Sequence, residues 1–162
     1  MYCRGRERRA MPDTCPFCQI ADGERPAHVL SRSERAVAFL DENPATDGHA
    51  LVAPTAHRQE LFALDEATGA AVIRTLRIVA DALDEFLDAV GFSVFYTTGS
   101  LVGNVEHAHV HLVPRYPDDG VDLSLARGEL DDAEGADLVA ELREAIDAGA
   151  GASTAAELGD SP

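Results

Sequence analysis

Six consecutive residues, His107-Ala108-His109-Val110-His111-Leu112, alternate histidine with apolar side chains, and apolar Val113 follows. A period of two is the pattern of a strand with one buried face. Ala108, Val110 and Leu112 then point into a core, and His107, His109 and His111 share the other side. The chain therefore needs a sheet, and it places half of its six histidines on one side of one strand. Packing alone accounts poorly for that concentration. Three chemistries suit such a row. Neighbouring imidazoles can chelate a metal ion through neutral nitrogen. One can act as a nucleophile tuned by the others. Or the row can be a proton relay or pH sensor. Glu106 immediately precedes it, and a catalytic zinc often takes a carboxylate or a further histidine from another element.

The surrounding segments predict what completes the sheet. Residues 35–41 (RAVAFLD) and 49–53 (HALVA) are short, apolar and bounded by turn residues such as Asn43-Pro44 and Asp47-Gly48. Asp65 is placed to cap a long helix whose apolar positions Val72, Leu76, Val79, Leu83, Phe86 and Val90 step by four and three. Gly91 is expected to stop that helix. Residues 92–98 read as a further strand. Asp131, with Glu134 three residues on, predicts a second helix carrying Leu138, Leu142 and Ile146. Tight turns and one long helical connection give an α+β fold with an antiparallel sheet. The chain of 162 residues suffices for one domain. Residues 1–10 stand outside it as a basic arm or an over-extended start, 11–148 form the domain, and 149–162, rich in Gly, Ala, Ser and Thr, read as a frayed tail.

Charge narrows the partners. The formal net charge is -16, and all 13 basic residues are arginine. A nucleic-acid backbone needs a cationic footprint, and anionic lipid repels such a surface, so neither is an expected partner. No apolar run approaches the ~18 residues of a membrane span. No apolar stretch follows the N-terminal arginines as a signal peptide requires. The expectation is a cytoplasmic protein, and three cysteines without an even framework fit a reducing compartment. An acidic surface without lysine repels itself in dilute buffer and is screened at roughly 1 M salt. It therefore points to a high-salt cytoplasm, or to a GC-rich genome in which arginine codons displace lysine.

Cys15-x-x-Cys18 is half of a tetrahedral zinc site and equally a redox pair. Together with the histidine row it makes the chain recognisable. His107 to Val113 resembles the signature of the histidine triad (HIT) superfamily: His, apolar, His, apolar, His, apolar, apolar. Cys15-Pro16-Phe17-Cys18-Gln19-Ile20 with Asp22-Gly23-Glu24 is similar to the N-terminal block of microbial HIT proteins. Ala38-Phe39-Leu40-Asp41, Gly48 to Pro54 and His57 are similar to their central block. The likeness covers about residues 15–117 in the family's order.

The resemblance implies a HIT-like sheet of about five antiparallel strands, one long helix and a C-terminal helix. It implies binding of a purine nucleotide derivative and cleavage at the α-phosphorus through a nucleotidyl-histidine. His109 maps to the nucleophile, and His111 and His49 to groups that contact the phosphate or assist the leaving group. Asp41 maps to the ribose-binding acid, and Phe39 is a candidate wall of the nucleoside pocket or a core aromatic. Zinc is implied on Cys15, Cys18, His57 and His107, with no organic cofactor, and members of this size imply a homodimer. One departure concerns Gly103-Asn104-Val105-Glu106, one residue shorter than the family's loop before the first histidine. There Asn104 is the candidate for a catalytic and phosphate-binding amide, and Thr97 or Thr98 falls nearest the family's upstream asparagine. Two other functions suit the same residues: a metal-dependent phosphoesterase with the histidine row as ligands, and a non-catalytic nucleotide-binding module.

Overall fold

The computed structural model describes residues 15–98 and 105–158. Asn104 and residues 1–14 lie outside them. The chain divides between Asp122 and Leu123 into two units, and the first carries the sheet. Its elements run α1 (Pro16–Asp22), β1 (Val29–Arg32), β2 (Ala36–Leu40), β3 (Ala50–Pro54), α2 (Glu66–Phe86), β4 (Gly91–Phe95) and β5 (Val110–Arg115). The strands pair antiparallel in the order β1-β2-β3-β5-β4. Strand β5 thus inserts between β3 and β4, the two strands that helix α2 joins. The five-stranded antiparallel α+β architecture is the expected one.

The sheet is covered on both faces, which explains why β2 and β3 are apolar throughout. Ala36, Ala38, Ala50, Val52, Val110 and Leu112 pack against Val72, Leu76 and Val79 of α2. Val37, Phe39, Leu51 and Ala53 pack against Phe17, Cys18 and Ile20 of α1. The short helix α1 begins at Pro16 and ends at Gly23 with φ 78°. Asp65 caps α2 as expected, its side chain accepting from the Thr68 N–H at 3.0 Å.

Several boundaries differ from those read in the sequence. Helix α2 ends at Phe86, and Gly91 is the first residue of β4 rather than a helix stop. The Val90 N–H already donates to the Arg115 carbonyl at 2.8 Å, so strand pairing takes over from the helix there. Phe86 and Val90 of the predicted stripe are consequently exposed. The histidine strand begins at Val110, so His107, in a bend, and His109 precede it and only His111 is within β5. Strand β1 carried no clear signal: it is a four-residue edge strand, mostly exposed. Gly48, in the turn between β2 and β3, has φ 82°, and a Cβ there would lie 2.6 Å from Leu87 Cδ1 and 3.2 Å from Pro114 Cγ. Glycine is required on both counts.

In the second unit, α3 spans Asp132–Leu158, so the backbone remains helical beyond Gly149, where composition reads as a tail. Asp131 starts it, its Oδ1 accepting from the N–H groups of Ala133 and Glu134 at 2.9 and 3.2 Å. Leu138, Leu142 and Ile146 are exposed. Among the described residues, no helix is long and apolar enough to cross a membrane.

Candidate active site and metal cluster

Helix α1 brings Cys15 and Cys18 under the approach to β5. Cys15 Sγ and Cys18 Sγ lie 3.4 and 3.5 Å from His107 Nδ1, and Cys18 Sγ lies 3.4 Å from His57 Nδ1. The four donor atoms are all within 4.8 Å of one another. Zinc–sulfur and zinc–nitrogen bonds of about 2.3 and 2.05 Å at a tetrahedral angle put sulfur and nitrogen about 3.6 Å apart. The sulfur–nitrogen spacings fit that arrangement. His107 is buried and its Nε2–H donates to the Pro54 carbonyl at 2.9 Å, which leaves Nδ1 with a lone pair aimed at the sulfurs. A backbone partner of this kind is what orients a ligating histidine. Burial lowers the His107 pKa to about 4, keeping the ring neutral. Burial and the neighbouring Cys15 push the Cys18 thiol up to about 12. A divalent cation reverses that preference and holds the thiolate. These residues fit a closed Cys2His2 metal site.

The other two triad histidines turn toward a cavity. His109 Nδ1 is 2.6 Å from the His107 carbonyl and must donate to it, so Nε2 carries the free lone pair. Phe17 meets this ring edge-on, with centroids 5.0 Å apart. The His111 tautomer is set through His49. The Ala45 N–H donates to His49 Nδ1 at 3.0 Å, so the His49 proton sits on Nε2, which lies 3.0 Å from His111 Nδ1. His111 therefore accepts at Nδ1 and carries its own proton on Nε2. Desolvation, then His109 and His49, lowers its pKa to about 4, against the opposing pull of Asp41. Burial likewise lowers the pKa of His49, opposed by the Asp41 carboxylate, whose Oδ2 lies 3.7 Å away. With both rings neutral, this hydrogen-bond pattern leaves His109 Nε2 as an acceptor and His111 Nε2 as an N–H donor.

Asp41, His49 and His111 also offer ligand atoms within 4.8 Å of one another. Metal binding through His49 Nε2 would move the proton to Nδ1, against the Ala45 N–H. Two donors would then face each other across 3.0 Å, so this trio is a poor cation site in the geometry present.

The cavity measures about 640 Å³ and is lined by Phe17, Ile20, Phe39 and Leu51 together with Asp41, Arg25, Thr97, His109 and His111 among others. Phe39 belongs to the core and also lines the cavity. Asp41 lines it near His49, with Oδ1 accepting from the Asn43 N–H at 2.8 Å. Two aromatic contacts escaped the sequence reading. Phe17 lies inside the CxxC segment and was available to it. Phe95 stacks on His111 with centroids 4.5 Å apart and planes 9° from parallel. It opposes His111 across the β4–β5 pairing, a register that local sequence does not display.

A five-stranded antiparallel sheet carrying a histidine-lined cavity and an adjoining Cys/His cluster defines a class of α+β proteins built around a histidine triad. The chain belongs to the HIT family: the HIT domain matches residues 22–118. It is 35% identical over 107 residues to an uncharacterized HIT-like protein of Methanocaldococcus jannaschii, covering 65% of this chain and 82% of that one. It is 29% identical over 103 residues to adenosine 5'-monophosphoramidase hnt1 of Schizosaccharomyces pombe, covering 63% and 74%. Among solved structures, a HIT family protein from Bacillus anthracis superposes with a TM-score of 0.76 at 28% identity, covering 82% of this chain and 97% of that one. A zinc-bound histidine triad family protein from Mycobacterium smegmatis gives 0.62 at 32% identity, covering 83% and 97%.

Proposed function

We propose that this protein is a nucleotide hydrolase or transferase that cleaves AMP-type derivatives, such as nucleoside phosphoramidates or dinucleoside polyphosphates, at the α-phosphorus through a nucleotidyl-His109 intermediate. Membership of a family that includes a named AMP phosphoramidase supports the enzyme class. The observation that carries the mechanism is the 2.6 Å hydrogen bond from His109 Nδ1 to the His107 carbonyl, which leaves Nε2 free in the cavity.

In the first step the Nε2 lone pair forms a bond to phosphorus, and the bond to the leaving group breaks. The leaving group carries off the electron pair and takes a proton from solvent. The modified ring becomes cationic, and its Nδ1–H bond to the carbonyl strengthens as that charge develops. Water then attacks phosphorus and loses a proton to solvent, and His109 departs with its lone pair restored. Splitting one displacement into two is the advantage of covalent catalysis. The Nε2–H of His111 donates to a phosphoryl oxygen, a contact worth on the order of 10² to 10³ in rate when aimed at developing charge. Asp41 accepts from ribose hydroxyls, and Phe39 and Phe17 wall the nucleoside. Asn104, outside the described residues, is assigned the phosphate-binding amide.

Zinc is the ion proposed for Cys15, Cys18, His57 and His107. It acts structurally, tying α1 to the segment whose carbonyl holds His109. The Ala108 N–H, donating to the Arg58 carbonyl at 2.6 Å, ties that segment also to the loop that carries His57.

Incubation with an α-32P-labelled adenosine phosphoramidate, followed by quenching, should trap an acid-labile label on the protein. Turnover by His109→Ala at the wild-type rate would refute the assignment. The competing phosphoesterase mechanism predicts instead that brief EDTA treatment stops turnover while the Cys/His zinc is still bound.

A further inference from the structure

The cavity has a direction. On the sheet face beneath it, His111 opposes Leu51, Leu51 opposes Phe39 and Phe39 opposes Val29. From His111 to Phe39 the floor crosses two strand spacings, about 10 Å at ~4.8 Å each, and Ala27 and His28 line the cavity beyond. The reacting phosphorus belongs at the His109 and His111 end. Opposite lies the segment that leads into β1, and there Arg25 donates to Glu42 at 3.2 Å. Both residues line the cavity, and among the described residues Arg25 is the one lysine or arginine that does so.

We propose that Arg25 and Glu42 read the nucleobase and make the site prefer guanine to adenine; the inference rests on the nucleotide reading above. A nucleotide held with phosphorus at His109 and ribose at Asp41 directs its base toward this pair. Guanine presents, side by side, the O6 acceptor and the N1–H and N2–H donors. Arg25 donates to O6, a pairing that guanine edges favour in general, while the two oxygens of Glu42 accept from N1–H and N2–H. Adenine in the same pose sets an amino donor against Arg25 and the N1 acceptor against Glu42. Turned over, it satisfies each residue with one bond at most. The apolar residues Phe17, Ile20, Phe39 and Leu51 hold the rings without distinguishing the bases. The pair is free to rearrange, because its side chains are 42% and 64% exposed and exposed ion pairs are weak.

The test is calorimetric binding of GMP and AMP to the full-length, metal-loaded protein at one fixed salt concentration. GMP is expected to bind about tenfold more tightly, a difference of about 1.4 kcal/mol. Arg25→Leu and Glu42→Gln should each bring the ratio close to one. Equal or reversed affinities in the wild type overturn the base assignment and leave the nucleotide reading standing. So does a preference that survives both substitutions, since other groups would then carry it. Failure of both nucleotides to bind, together with no trapped label on His109, removes the nucleotide reading and this inference with it.

Discussion

His111 should remain neutral well below the pH at which an ordinary histidine charges, and Phe95 should be one reason. The ring sits against Phe95 on one face, with its Nδ1 engaged by His49. Desolvation and the two neighbouring imidazoles bring its pKa from 6.5 to about 4. At pH 6 an ordinary histidine is about three quarters protonated, whereas one with a pKa near 4 is about 1% protonated. Replacing Phe95 with alanine opens one face of the ring to water. It should raise the titration midpoint by about one pH unit, equivalent to about 1.4 kcal/mol between the two protonation states. The stability consequence has a definite sign. The folded form binds fewer protons than the unfolded form between pH 6.5 and about 4, so stability is present above that window and falls as acid is added through it. The assay is NMR titration of the histidine side chains, with His111 assigned through its absence in His111→Asn. A wild-type midpoint at the ordinary value would refute the desolvation account. A midpoint unmoved in Phe95→Ala would refute the part given to the stacked ring.

Other consequences can be measured directly. Native mass spectrometry should find one zinc ion in the wild type and none in Cys18→Ser, whose thermal transition should also fall; a wild type free of zinc after expression with ample metal contradicts the site. Gly48→Ala should lose about 2 to 4 kcal/mol, combining a left-handed backbone penalty with a Cβ forced against Leu87 and Pro114. Its urea midpoint should shift accordingly, and an unchanged midpoint contradicts the steric account. Melting between 0.1 and 3 M KCl should rise steeply if the acidic, lysine-free surface is an adaptation to high salt. A flat profile leaves arginine codon usage as its explanation.

Local sequence made much of this molecule legible. The alternation around His109 announced a strand with a buried reverse face, and Val110 and Leu112 are buried in that face. Asp65 and Asp131 marked two helix starts because capping is a contact between near neighbours. The four metal-ligand candidates and the cavity residues His109 and His111 were named from motifs; the fold clusters the four, while His49, also named, stands behind His111 outside the cavity lining. The errors have physical causes. Gly91 looked like a helix stop because glycine serves helix ends and strand starts alike, and a long-range bond from Val90 to Arg115 decided between them. Strand β1 was overlooked because an exposed edge strand carries little apolar pattern.

The sequence by itself determined which chemistry the chain can host: three histidines in alternation, two cysteines a helical turn apart, and an acid after an apolar strand. Tertiary structure decided how those groups divide the work. His107, His109 and His111 are equivalent in spacing, but the Pro54 carbonyl accepts from Nε2 of the first, the His107 carbonyl accepts from Nδ1 of the second, and His49 donates to Nδ1 of the third. His107 Nδ1 is thereby turned to the cysteines, His109 is left with an accepting Nε2 and His111 with a donating one. That division depends on hydrogen bonds between residues far apart in the chain or held by a particular backbone turn, which no local pattern encodes. The same is true of Arg25 and Glu42, which meet at one end of the cavity because β1 and β2 lie side by side.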